Sequence, residues 1–259
     1  MHAYRDLIDR VLTKGTVERA RNCSTLHVFG EEITFDLTEG FPIVTLRKID
    51  YIQAIGELTG FLRGYTTKSQ FNSVGCHYWN STGGMANDEL GPIYGAQWNN
   101  FFGINQLKVL LENLHYAKFS RRHILTTWNP AQLNDMVLPP CHIIAQFHVR
   151  EDHVLDCIVY MRSVDIMLGL PYDIIIYALL VHILAHCCNM FVGTLKFTFG
   201  NTHIYTPHIM EAVYMIKYDP LPLSQLLLDP GTSLLTFDPK DVIIAGYASH
   251  KARKFELFL

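Results

Sequence analysis

Cys141 stands in LPPCHIIAQF, behind two prolines and at the lip of an alternating apolar run. Prolines stiffen the approach, and a strand end can project a thiol from a rigid element. A thiolate is a strong nucleophile once nearby positive charge lowers its pKa. The competing reading of any free cysteine is a small buried hydrophobe. Arg21, the pair Arg121 and Arg122, and Arg162 followed by Ser163 are scattered along the chain but could converge on one phosphate. Guanidinium forks suit phosphate oxygens, and such a clamp would also favour a neighbouring thiolate. Taken alone, Arg121 and Arg122 read as solvated strand-end charges.

Carboxyl groups supply the second set of candidates. Asp165 and Asp173 lie eight residues apart in the largely apolar stretch YMRSVDIMLGLPYDIIIY, and Glu57 falls among apolar neighbours in YIQAIGELTGFL. An ionised carboxylate taken out of water unpaired is very costly. Glu57 should therefore have a raised pKa, as suits a group that gives and takes protons near neutrality. Asp173 has two readings, a helix N-cap or a contact to a ligand. The thirteen histidines include His182 and His186 at helical spacing in HILAH, but no HExxH or His/Cys cluster has ligand spacing, and no metal is expected.

These residues must be positioned by a mixed set of elements. YRDLIDRVLTKG reads as an amphipathic helix stopped at Gly15. STLHVFGEEITFDL reads as a hairpin turning at Gly30, and Asp50 as the cap of a helix running to Gly64. From Gly75 to Asn100 the chain is loop-like, and long loops in compact domains are often functional. Gln106 to His115 reads as a helix. HILTTWN, IIAQFHV and VLDCIVYMRS read as strands, followed by a long buried helix from about Pro171 to Asn189. TLKFTFGN reads as another strand, leading into a turn and helix over THIYTPHIMEAVYMI. No repeat or linker interrupts the chain, so residues 1–259 are expected to form one α/β domain of the α+β type, with a large mixed sheet flanked by helices.

Composition narrows the function. The chain is 49% hydrophobic and 17% charged, which suits a large core, and its formal charge of −3 gives no footprint for duplex DNA. Six cysteines without CxxC spacing and without a signal peptide read as reduced thiols in a cytosol-like compartment. The apolar run Ile174 to Ala185, broken by His182, is too short to span a bilayer.

The chain resembles the thymidylate synthase superfamily through GTVERARN, FGEEITFDLTEGFPIVT, ELTGFLRG, ELGPIYGAQW, SRRHILTTWNP, LPPCHIIAQF, MRSVDIMLGLPYDIIIYALLVHILA, FGNTHIYTPH and GYASHK, in order over nearly its whole length. The resemblance implies a homodimer packed sheet to sheet. Cys141 would add to C6 of a pyrimidine nucleotide. Arg21, Arg162 and Ser163 would hold its phosphate, together with Arg121 and Arg122 reaching in from the partner subunit. Glu57 would order water and relay protons, and Tyr94 would assist proton removal from C5. His203 and Tyr205 would bind the ribose, with Asn201 beside them. Asp165, Trp79, Leu168 and Gly169 would meet 5,10-methylenetetrahydrofolate, the one-carbon co-substrate. Neither a membrane nor an obligatory nucleic acid is implied. The location would be cytoplasmic, in the host's cytoplasm if a phage encodes the chain.

The departures from that pattern concern the base. Methylating synthases usually carry Gln-Arg-Ser where this chain has Met161-Arg162-Ser163, and asparagine where it has Asp173. Cytosine inverts the hydrogen-bond pattern of uracil, and a carboxylate can accept from its 4-amino group while repelling uracil O4. Both features resemble the phage deoxycytidylate hydroxymethylases. The region of NSTGGM lacks a second tryptophan usual beside Trp79, Asn201 replaces an aspartate, and Asp50 replaces a histidine. A more polar pocket fits capture of the C5 methylene by water. The expected function is folate-dependent C5-hydroxymethylation of dCMP. The alternatives are a dCMP methyltransferase, thymidylate synthase acting on dUMP, and a non-catalytic nucleotide- or RNA-binding module.

Overall fold

The computed structural model describes residues 1–19, 23–82 and 88–258. The chain runs α1 (His2–Lys14), β1 (Thr16–Arg19), β2 (Ser24–Phe29), β3 (Glu32–Asp36), α2 (Tyr51–Leu62), α3 (Lys68–Ser73), α4 (Tyr94–Asn99) and α5 (Gln106–Tyr116). It continues β4 (Ile124–Thr126), β5 (His142–Val149), β6 (Val154–Asp165), α6 (Leu170–Cys187), β7 (Phe191–Tyr205), α7 (Ile209–Met215), β8 (Gln225–Leu228) and β9 (Val242–Ala245). Among the described residues, seven strands form one sheet in the order β1-β2-β7-β6-β5-β4, with β3 also on β7, and β8 pairs with β9 separately. Only β6 and β7 run parallel within it, so the sheet is mixed, as expected.

Two expectations from the sequence are corrected. The STLHVFGEEITFDL segment is not a hairpin: β2 pairs with Asn201–Tyr205 of β7 and β3 with residues 194–198 of the same strand. β7 is 15 residues long, enough to template both strands end to end. At the junction Gly30, with φ 88°, donates its N–H to Gly200 O. The same length overturns the turn expected after TLKFTFGN, because the strand continues through His203 to Tyr205. Asp50 occupies the N-cap position of α2 as expected, yet its side chain makes no capping bond and accepts from Gln53 instead.

α6 is the core helix. Leu170, Pro171 and every residue from Ile174 to Val181 are buried, which gives an apolar surface on all sides instead of one stripe. At 18 residues it is longer than the apolar run alone and would pass a bilayer test by length and composition, but 72% of it is buried inside the protein. It packs beneath β6 and β7 and against α2. Along β5 and β6 the residues Ala145, Phe147, Val149, Leu155, Cys157 and Val159 are buried, while Ile144, Gln146, His148 and Ile158 between them are exposed, as period-two alternation requires.

α2 also sets the position of α4. A Cβ on Gly95 would stand 2.5 Å from Phe61 Cα and from its carbonyl oxygen, so only glycine lets the two backbones meet. Tyr94, the residue before it, is thereby brought beside α2. Gly95→Ala is expected to destabilise the fold by about 1–3 kcal/mol through overpacking. The shift is read from the midpoint of denaturant unfolding, and an unchanged midpoint would show that the helices separate freely.

Candidate active site

A cavity of about 400 Å³ opens where α2, the segment around Trp79, α4, the start of β5 and the start of α6 meet. It gathers Glu57, Trp79, Tyr94, Cys141, and the cluster Leu168, Gly169 and Asp173 from five separated places in the sequence. Gln53 lies one helical turn before Glu57 and joins the same wall, as do His142, Tyr78, Tyr172 and Leu257.

Cys141 sits immediately before β5, and three contacts fix it. Its N–H donates to Tyr94 Oη at 2.8 Å. Its carbonyl accepts from Arg162 N at 2.9 Å, which ties it to β6. The Arg162 guanidinium grips the two prolines in front of it, donating to Pro140 O at 2.7 Å and Pro139 O at 2.9 Å while lying over Trp128. The expected depressed thiol pKa is corrected: burial pushes Cys141 up, and the opposing pull of Arg162 does not overcome it. Asp173 adds to the rise, and a hydrogen bond from Tyr94 opposes it. The thiol is therefore held protonated in the single chain, with the cation that favours its ionisation already in place.

Asp173 is not the N-cap of α6. That position is Gly169, and Asp173 lies inside the first turn with no capping bond from its side chain. Its carboxyl faces the cavity, and Oδ1 is 3.7 Å from His142 Nε2. Burial, with a smaller contribution from Asp165, raises its pKa to about 7. Burial also drives His142 down to about 3, so the imidazole is neutral and this contact is not an ion pair. Tyr177 Oη lies 2.7 Å from His142 Nδ1, and the Tyr94 ring stacks on the imidazole at 4.1 Å. With Tyr177 donating to Nδ1, the single N–H of the neutral ring is on Nε2 and faces Asp173.

Glu57 behaves as expected. Burial, then the charge of Asp173, raises it to about 8. The Trp79 indole N–H acts in the opposite direction, from a position that does not complete a hydrogen bond. Asp165 is raised to about 6 by burial, but Oδ1 accepts from the N–H groups of Met167 and Leu168 at 2.9 and 3.1 Å, so it shapes the turn that presents Leu168 and Gly169.

The other expected residues lie beyond the cavity wall. Ser163 and Asp165 on β6 stand opposite Asn201 and His203 on β7. Asn201 Oδ1 is 2.8 Å from His203 Nδ1, and Tyr205 Oη donates to Phe258 O at 3.2 Å, so the C-terminal segment reaches this end of the sheet. Arg121 and Arg122 are exposed before β4 and do not meet Cys141 within one chain. Arg21 lies outside the described residues. Among the described residues, no three His, Cys, Asp or Glu side chains are grouped to hold a metal ion, and none of the six cysteines is disulfide-bonded.

Two residues that sequence reasoning missed carry the Asp173 geometry. His142 is the direct neighbour of the nucleophile candidate, and Tyr177 is one helical turn after Asp173, the spacing that places two side chains on one helix face.

A half-buried cysteine held by an arginine, beside a pair of raised carboxyl groups, is a site for covalent group transfer on a small substrate. The family profile described as thymidylate synthase matches residues 2–259, and the chain belongs to the thymidylate synthase family. It is 36% identical over 278 residues to the thymidylate synthase of Enterobacteria phage T4, covering 96% of this chain and 97% of that one. It is a one-carbon transferase that acts at C5 of a pyrimidine nucleotide with methylenetetrahydrofolate as co-substrate.

The carboxyl groups couple folding to pH. Unfolded, they release their protons near pH 4, whereas folded Asp165, Asp173 and Glu57 hold theirs to about 6, about 7 and about 8. The stability they contribute is complete below about pH 4 and is lost as pH rises through the folded values. Asp173→Asn is expected to flatten the fall in thermal midpoint between about pH 4 and 7 relative to the parent chain. That difference isolates Asp173 from the buried histidines, which titrate in the opposite sense. Parallel pH curves would show that the carboxyl is not held protonated.

Proposed function

We propose that the protein is a deoxycytidylate C5-hydroxymethyltransferase acting in the cytoplasm as a homodimer. The observation that carries the substrate assignment is the Asp173 carboxyl, freed from capping α6, turned into the cavity beside Cys141 and backed by a neutral imidazole. Ionised, it accepts from the 4-amino group of cytosine and balances a proton on N3, while it repels uracil O4. That N3 proton draws electrons as Cys141 Sγ adds to C6, which makes C5 nucleophilic toward the one-carbon unit. Tyr94, bonded to the Cys141 backbone, and Glu57 are the groups placed to remove the C5 proton.

Arg162 and Ser163, with Arg21, are assigned to the phosphate, and Asn201, His203 and Tyr205 to the ribose. Asp165, Trp79, Leu168 and Gly169 are assigned to the folate. The exposed isoleucines Ile124, Ile144 and Ile158 lie on the sheet face that α6 leaves uncovered, which supports pairing of two sheets. Arg121 and Arg122, exposed next to that sheet, are then free to reach a second chain's phosphate.

A second reading is methyl transfer by the same site. The phage T4 thymidylate synthase relative favours it, and so does Leu257, which closes one wall of the cavity and limits water.

Asp173→Asn is expected to move preference from dCMP toward dUMP by about tenfold or more in kcat/KM. An unchanged preference removes the substrate assignment. The parent's discrimination should also rise with pH through about 7. The protonated acid offers uracil O4 a donor, whereas the ionised form does not. A flat dCMP-to-dUMP ratio from about pH 6 to 8 would contradict this role. Cys141→Ser is expected to abolish turnover while dCMP still binds, and full activity in that variant excludes covalent attack by Cys141.

A further inference from the structure

Two consecutive cavity residues, Tyr78 and Trp79, each carry a buried polar atom with no completed hydrogen bond among the described residues, Oη and Nε1 respectively. A buried polar group left without its hydrogen bond is costly, so neighbouring orphans in a cavity wall mark a place that a small polar molecule completes. Their rings are fixed from behind. Tyr172 meets Tyr78 edge-on at 4.7 Å, and Phe71 packs on Trp79 at 5.7 Å. The Tyr172 phenol acts on Tyr78 as a nearby charge and as a loose hydrogen-bonding neighbour, but its geometry does not complete the bond.

Glu57 belongs to the same group. It lines the cavity with both residues, its charge acts on Tyr78, and the Trp79 indole acts on it. Burial, then Glu57, pushes the Tyr78 pKa up, so the phenol stays a donor. A bound water needs about two to four polar partners. Tyr78, Trp79 and Glu57 line the same cavity and supply two donors and one acceptor, a set that suits a water molecule.

We propose that Tyr78 is a positioning residue which, with Trp79 and Glu57, holds the water that captures the C5 methylene group of the nucleotide. This rests on the hydroxymethyl reading of the site. The water oxygen forms a bond to the methylene carbon, and one water proton passes to the Glu57 carboxylate. The methylene double-bond pair moves into the ring toward C4 and N3. Its return restores the 5,6 double bond and expels Cys141 as thiolate from C6. The folate departs as tetrahydrofolate, and no oxidant or reductant is consumed. Tyr78 donates to the water oxygen and sets its line of approach, while Glu57 accepts the proton.

Tyr78→Phe keeps the ring and its packing on Tyr172 and removes only the hydroxyl. Because that hydroxyl completes no hydrogen bond among the described residues, the thermal midpoint is expected to be unchanged or higher. The variant and the parent are given methylenetetrahydrofolate and dCMP tritiated at C5. Tritium release, which reports attack at C6 and proton loss from C5, should stay close to the parent's, as should KM for dCMP. Formation of hydroxymethyl product should fall about tenfold, leaving release in excess of product. Equal losses in release and product, or no loss of product, overturn the water site. If the parent itself yields only methylated nucleotide, the hydroxymethyl reading fails and the water site fails with it. If the parent hydroxymethylates and Tyr78→Phe matches it, the water site alone fails.

Discussion

The Asp173 carboxyl stands 3.7 Å from a neutral imidazole, in a cavity that also holds Glu57 and borders Asp165. Among the described residues this carboxyl has no charged partner and makes no capping bond, although burial penalises its charged form. Removing a carboxyl from water without a partner is a standing cost in the free protein. A ligand that offers a donor to Asp173 relieves it, so specificity and stability pull against each other at one side chain. The same burial raises Glu57 into the range where it can exchange protons at neutral pH.

The fold serves to hold that carboxyl and the Cys141 thiol at fixed separation. α6 fixes Asp173 because its later turns are buried on all sides. Cys141 is fixed from the sheet side, through its backbone bonds to Tyr94 and Arg162 and through the grip of Arg162 on Pro139 and Pro140. His142 lies where the β5–β6 register shifts before Ile144, and the shift accompanies an inward-facing imidazole next to the nucleophile. Tyr94 touches both halves, stacking on His142 and bonding to Cys141. Stiffness of this kind keeps reacting groups within a near-attack geometry.

Much of this was legible in the sequence because it depends on local pattern. The helix ending at Gly15, the long apolar helix and the strands around Cys141 follow from periodicity and from glycine and proline positions. The Gly30 segment was misread because a local alternation cannot tell a hairpin from two strands laid along one long partner, and β7 is that partner. Cys141, Glu57 and Asp173 announce themselves by residue type in an apolar setting. The Tyr177–His142 pair does not, since its role exists only once β5 and α6 are packed together. The thiol's raised pKa was hidden for a related reason: burial depth is a tertiary quantity, and it outweighs the single arginine that sequence could point to. Arg121 and Arg122 are exposed and do not line the cavity of one chain, so sequence alone could not say what they face.

The central claim is that this site delivers a hydroxymethyl group to cytosine. Its most direct test is parallel incubation of the purified protein with methylenetetrahydrofolate and either dCMP or dUMP, followed by mass analysis of the nucleotide and identification of the folate. The expected result is 5-hydroxymethyl-dCMP with tetrahydrofolate, and little turnover of dUMP. Thymidylate and dihydrofolate from dUMP, with dCMP untouched, would contradict it.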